Sequence, residues 1–112
     1  MSFKLVISDT VVVAVAGKIP TASGGLQQFN FNLVCKRLNT TDLREELAQK
    51  DRPIEDFIRK VATGWDGVLD ADGQPLPFSD EGLTQLLNVA GIPGVAFQAY
   101  LESVGARGKE KN

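Results

Sequence analysis

"LQQFNFNLVCKRL", residues 26–38, decides how the first third of the chain is built. Phe29, Phe31, Leu33 and Cys35 alternate with Gln28, Asn30, Asn32 and Lys36. Strict alternation puts one set on each face of a strand, so this segment predicts a β-strand with one apolar side and one wet side. The run before it, "TVVVAVAGKI" (residues 10–19), is β-branched and apolar and predicts its partner. The intervening "GKIPTASGGL", with Pro20, Gly24 and Gly25, suits a long hairpin loop rather than a tight two-residue turn. The earlier piece "FKLVIS" (residues 3–8) is either a third, shorter strand or the start of the first.

The first strand differs from the second because both of its faces are apolar. Val11, Val13 and Val15 point one way; Val12, Ala14 and Ala16 point the other. A strand of this kind prefers cover on both sides. Either the chain's own helices or N-terminal segment supply the second cover, or a second copy does, giving a weak homo-oligomer through Val12, Ala14 and Ala16.

From Thr40 the hydrophobic period lengthens to that of a helix. "TTDLREELAQK" (residues 40–50) carries Asp42 and Glu45 at capping-box spacing, with Asp42 as N-cap, and Leu43 and Leu47 on one side. Pro53 ends this helix near Lys50 and opens the next, where proline is tolerated in the first turn. The second helix reads Ile54, Phe57, Ile58, Val61 and Trp65, a single stripe that predicts a mostly buried Trp65. Gly64 and Gly67 close it. A third helix carries Leu83, Leu86, Leu87 and Ala90; "GIPG" (residues 91–94) breaks it; a fourth carries Phe97, Tyr100, Leu101 and Val104. The expected architecture is α+β: an antiparallel hairpin within residues 1–38, about four helices within 39–105, and a frayed polar tail at 106–112, all one domain.

"VLDADGQPLPFSDEGLTQLL" (residues 68–87) tests for calcium, since Asp70, Asp72 and Gly73 fit part of an EF-hand loop. Its first and last ligand positions then fall on Val68 and Ser79, which cannot serve, and Pro75 and Pro77 stiffen the wrapping half. Local structure accounts for the acids. "DADG" makes a turn, Ser79 caps the third helix, and Asp80 and Glu81 favour its first turn.

Composition narrows the function by exclusion. The 112 residues contain no histidine, which removes the usual general base and zinc ligand. The single cysteine, Cys35, forms no intrachain disulfide, points to a reducing compartment, and sits in an apolar series as a buried thiol. A net charge of −2 with mixed signs argues against a nucleic-acid surface. The apolar run Val11–Ala16 is too short for a membrane span, and nothing resembles a secretory signal. Asp66, Asp70 and Asp72 offer carboxylates, but a small chain leaves little room for a substrate cleft. Gly24, Gly25, Gly91 and Gly94 fit neither a Walker loop nor a dinucleotide fingerprint. The expectation is a non-enzymatic binding or assembly protein with no cofactor and no metal.

With those residues laid out, the chain resembles the tail assembly chaperones of long-tailed bacteriophages over most of its length. The resemblance rests on "VVVAVAGKIP" with "FNFNLVCKRLNTTDL", and on "GWDGVLDADGQPLPFSDEGLTQLL" followed by "IPGVAFQAYLESVGARGKEKN". Its elements are Trp-x-x-Val, Asp-Gly, Pro-Leu-Pro-Phe-Ser and the closing Lys-Asn. It implies a protein that works in the host cytoplasm, binds the tape measure protein, helps recruit tail tube subunits and is absent from the finished virion. It also implies a polar tail to which a frameshifted extension attaches. Helix-in-groove docking of the tape measure protein would use Leu83, Leu87, Phe97, Tyr100 and Leu101, unless these build the domain's own core. Tyr100, with its hydroxyl, is the residue expected at an interface edge. The alternative function is a structural virion component, a tail or head-tail connector subunit.

Overall fold

In the computed structural model, which describes Leu5 and residues 8–105, two long strands lead the chain and set its register. β1 (Thr10–Pro20) and β2 (Leu26–Lys36) pair antiparallel from Thr10 opposite Lys36 to Pro20 opposite Leu26. The connection is five residues, Thr21 to Gly25, shorter than the loop expected, because Gly17 to Pro20 continue the ladder. Gly24 takes φ +94° and donates its N–H to the Thr21 carbonyl (3.1 Å). The expected extra strand at residues 3–8 falls mostly outside the described residues, as does the tail at 106–112.

α1 (Thr40–Leu47) follows, then α2 (Ile54–Val61). The N-cap of α1 is Asn39, not Asp42: Asn39 Oδ1 accepts the Asp42 N–H at 2.7 Å. Asp42 therefore sits in the first turn, where the helix dipole favours its charge.

The second helix stops earlier than its stripe suggests. It ends at Val61, and Ala62–Asp66 form β3, which pairs antiparallel with β2 to give the sheet order β1-β2-β3. Trp65 is thus a strand residue opposite Leu33. The reason is non-local: β2 has a second edge of unpaired backbone groups, and Thr63, Gly64 and Trp65 have little helical preference to resist it. A bulge at Thr63 adjusts the register, and the Thr63 hydroxyl donates to the Val34 carbonyl (3.1 Å). Trp65 is largely buried, as expected, but from a strand rather than a helix. Its Nε1–H donates to the Leu76 carbonyl (2.7 Å), and its ring meets Phe78 edge-on at 5.1 Å.

The arms around Gly73 form as read from the sequence. Leu69 bridges Pro75, Gly73 has φ +80°, and Asp70 Oδ1 accepts the N–H groups of Asp72 and Gln74, both at 2.9 Å. α3 (Asp80–Leu87) is capped by Ser79, whose Oγ accepts the Gly82 N–H. α4 (Ile92–Ser103) starts inside "GIPG": Gly91 is its cap at φ +96° and Pro93 is accommodated in the first turn.

Helices cover one face of the sheet. Val13, Val15, Phe31, Leu33 and Cys35 point into a core shared with Phe57, Ile58, Val61, Leu83, Leu87, Ala96, Tyr100 and Leu101. The other face stays open: Val12 is 61% exposed, and Ala14, Ala16, Asn30 and Lys36 are exposed with it. No helix among the described residues is long and apolar enough to cross a membrane.

Candidate functional site

The residues expected to face a partner are mostly interior. Leu83, Leu87, Tyr100 and Leu101 are all buried in the core, so they hold the domain together and present nothing outward. Only Phe97 keeps a partly open ring, packed edge-on against Phe57 at 5.4 Å.

Tyr100 shows how the interior satisfies its polar atoms. It is 0% exposed, and its hydroxyl donates to the Lys36 carbonyl (2.8 Å) while accepting the Leu38 N–H (3.1 Å). A buried hydroxyl needs such partners, and here they are the backbone groups where β2 ends. Burial pushes its pKa up, although the Leu38 bond pulls it back in part. The Cys35 thiol lies in the same core and is pushed up by burial to about 12. A protonated thiol is a poor nucleophile.

The apolar surface left open lies at α1. Its eight residues, about two turns, bury Leu43 but leave Leu47 48% exposed. Between α1 and the end of α4 runs a cleft of about 610 Å³, lined by Leu38, Leu43, Leu47 and Val104. Among the described residues Arg44 is the one ionisable side chain in its wall. A smaller cleft that Leu47 also borders is lined by Ile54, Phe57 and Phe97 together with Glu46, Gln49 and Arg52. Leu47 is therefore a ridge between a mainly apolar hollow and a smaller mixed one. Beyond Leu38 and Val104 a more polar cleft follows, bordered by Leu5, Asp9, Arg37 and Asp42.

Glu46 fixes α1 to α2. Its carboxylate meets Lys60 and Arg52 at 2.5 Å each, and the bond to Lys60, followed by that to Arg52, holds its pKa below the usual carboxylate range. The Arg52 guanidinium also lies over the Phe57 ring, 5.9 Å from its centre. The α1 ridge is thus held by charge on its α2 side and by Leu43 on its core side.

Sequence reasoning missed Leu38, Leu47, Ile54 and Val104. Leu47 and Ile54 sit at positions that read as core-facing on their helices. The available signal was length, since two adjoining eight-residue helices cannot bury every apolar residue of their stripes. Among the described residues no three His, Cys, Asp or Glu side chains gather as metal ligands would. No family model, curated protein or solved structure matches the chain.

Proposed function

We propose that this chain is a tail assembly chaperone of a long-tailed bacteriophage, a non-enzymatic protein that works in the host cytoplasm. It covers an apolar stripe of the tape measure protein and brings tail tube subunits to it, leaving before the particle is complete. The observation that carries this reading is the half-exposed Leu47 at the α1 surface, which borders a mainly apolar cleft on the side of Leu38, Leu43 and Val104. A helix that lays residues at i, i+3, i+4 and i+7 against such a surface gains apolar burial against Leu47 and the wall of the larger cleft. Among the described residues the wall of the larger cleft holds one ionisable group, Arg44, which suits cover for an apolar stripe better than acid–base chemistry. The sequence elements from Trp65 to Ser79 support the same reading, and they pack together: Trp65 bonds the Leu76 carbonyl and meets Phe78 edge-on.

The test is co-expression with the tape measure protein and capture through a tag on this chain. Wild type is expected to keep the tape measure protein soluble and to co-purify with it. Leu47→Asp, at an exposed position, is expected to fold normally and to bind at least about tenfold more weakly, because it puts an unpaired charge into an apolar contact. Equal capture by Leu47→Asp overturns the site. Stoichiometric amounts of the chain in purified particles, measured by mass spectrometry, would replace the chaperone reading by a structural virion component.

A further inference from the structure

The outer edge of β1 carries backbone groups whose direction can be worked out. The Arg37 N–H donates to the Asp9 carbonyl (2.8 Å), and the Thr21 N–H donates to the Gly25 carbonyl (2.9 Å). Both lie on the same ladder as Thr10 opposite Lys36, so Asp9 with Arg37 and Thr21 with Gly25 are hydrogen-bonded positions. Antiparallel ladders alternate. Val11, Val13, Val15, Gly17 and Ile19 therefore turn their N–H and C=O groups to β2. Thr10, Val12, Ala14, Ala16 and Lys18 turn theirs away. β1 is first in the sheet order, so no described strand receives them.

Protein edges of this length are normally blunted by charges, proline or bulges. Here the bulge lies beside the opposite edge, between β2 and β3, and the only charge and proline in β1 are Lys18 and Pro20 at its far end. The outward-turned residues in between have small or branched apolar side chains, and all three of Val12, Ala14 and Ala16 are exposed. Leu5 is 83% exposed and borders the cleft with Arg37, Leu38 and Val104, so it does not lie along this edge.

We propose that β1 pairs edge to edge with β1 of a second copy, antiparallel, with the two-fold axis at Ala14. The two three-stranded sheets then join into one. The choice of a second copy follows from self-complementarity. With Ala14 opposite Ala14 of the second copy, Val12 meets its Ala16 and Thr10 meets its Lys18. Every outward N–H in that stretch meets an outward C=O, giving about ten backbone hydrogen bonds across the pair, with the Thr10 N–H exchanging its 3.3 Å bond to Ser8 Oγ. No like charges face each other. Pro20, which has no N–H to give, falls beyond the paired stretch. Because hydrogen bonds exchanged against water gain little each, the association is weak, with a Kd on the order of micromolar. This inference stands independently of the chaperone reading.

Sedimentation velocity of the full chain over a concentration series tests it, with Ala14→Lys, Ala14→Asp and their equimolar mixture. Wild type is expected to dimerise. Each variant alone places like charges across the axis and should dimerise at least about tenfold more weakly, whereas the mixture pairs opposite charges and should recover. Ala14→Pro removes only an outward N–H, so the β1–β2 ladder persists; it too should be monomeric. Circular dichroism checks that each variant folds. A wild type that stays monomeric at high concentration overturns the proposal. So does an Ala14→Pro protein that dimerises like wild type, or a mixture no better than its components.

Discussion

Tyr100→Phe removes one oxygen atom from the best-connected point of the core, and its cost can be worked out from the geometry. The ring stays in place, still edge-on to Phe57 at 5.3 Å, so packing is conserved. What disappears is the bridge from α4 to the end of β2, leaving the Lys36 carbonyl and the Leu38 N–H without their partner. An orphaned buried group costs about 1–3 kcal/mol. Lys36 is exposed and Leu38 half-buried, so water recovers part of that loss, and the expected total is about 2 kcal/mol. For a small domain this lowers Tm by roughly 10 °C. Tyr100→Ala also loses the ring and should cost about 3–5 kcal/mol, a large share of a marginal stability. Urea and thermal unfolding followed by circular dichroism give both values. Hydrogen exchange at the Leu38 amide adds a local readout, with faster exchange expected in Tyr100→Phe. A Tyr100→Phe protein within about 0.5 kcal/mol of wild type, with Leu38 still protected, would refute the tether.

Other consequences follow from the same interior. Cys35 has a pKa raised from 9.0 to about 12, so its contribution to stability is complete below pH 9 and is lost as pH rises toward 12. Cys35→Ala should flatten part of the alkaline fall in urea midpoint, leaving the part due to Tyr100, whose pKa is also raised. Glu46 has a depressed pKa, so its contribution is present above the ordinary carboxylate pKa and fades as pH falls through the lowered value; Glu46→Gln should lessen that acid-side fall in a stability–pH series. Trp65→Ala should cost about 2–3 kcal/mol in urea unfolding, less than a fully buried tryptophan, because it loses the Leu76 bond and the Phe78 contact but little deep burial. Faster proteolysis between Asp70 and Gln74 should accompany it.

The hairpin was legible because its signals are local and agree. Alternation from Phe29 to Cys35 fixes which side is buried, and a one-residue slip would turn the whole set outward. The turn at Asp70–Gly73 and the Ser79 cap were legible for the same reason, each needing only a few neighbouring residues. β3 was not, because Trp65 falls at a helical interval from Ile54, Phe57, Ile58 and Val61. What makes Ala62–Asp66 a strand is the far edge of β2, nearly thirty residues away in sequence, and no window along the chain contains it. Tyr100 was misjudged through a sound rule applied without the partner: a buried hydroxyl needs hydrogen bonds, and they came from a strand end rather than from an interface. The α1 ridge was illegible for a related reason. Leu43 and Leu47 share one side of a helix, and only the placement of α4 decides that one is buried and the other is not.

The two surfaces left uncommitted by the fold do not compete. None of the residues lining the clefts on either side of Leu47 belongs to β1, and the open sheet face lies opposite the helical layer that carries those clefts. Pairing through β1 therefore leaves both ridges of a dimer free. A long helical partner with repeated apolar stripes would then meet two sites on one particle, and the second contact forms at an effective concentration set by the dimer's geometry rather than by bulk protein. On the proposed reading, a weak groove and a weak strand edge together would give a grip that tightens when several copies are present and loosens as they dilute. Release is then as much a property of the surface as binding. If the chain is a chaperone as proposed, that combination would suit cover that must be surrendered, and a short helix with half-exposed Leu47 would serve it better than a deep, well-packed pocket.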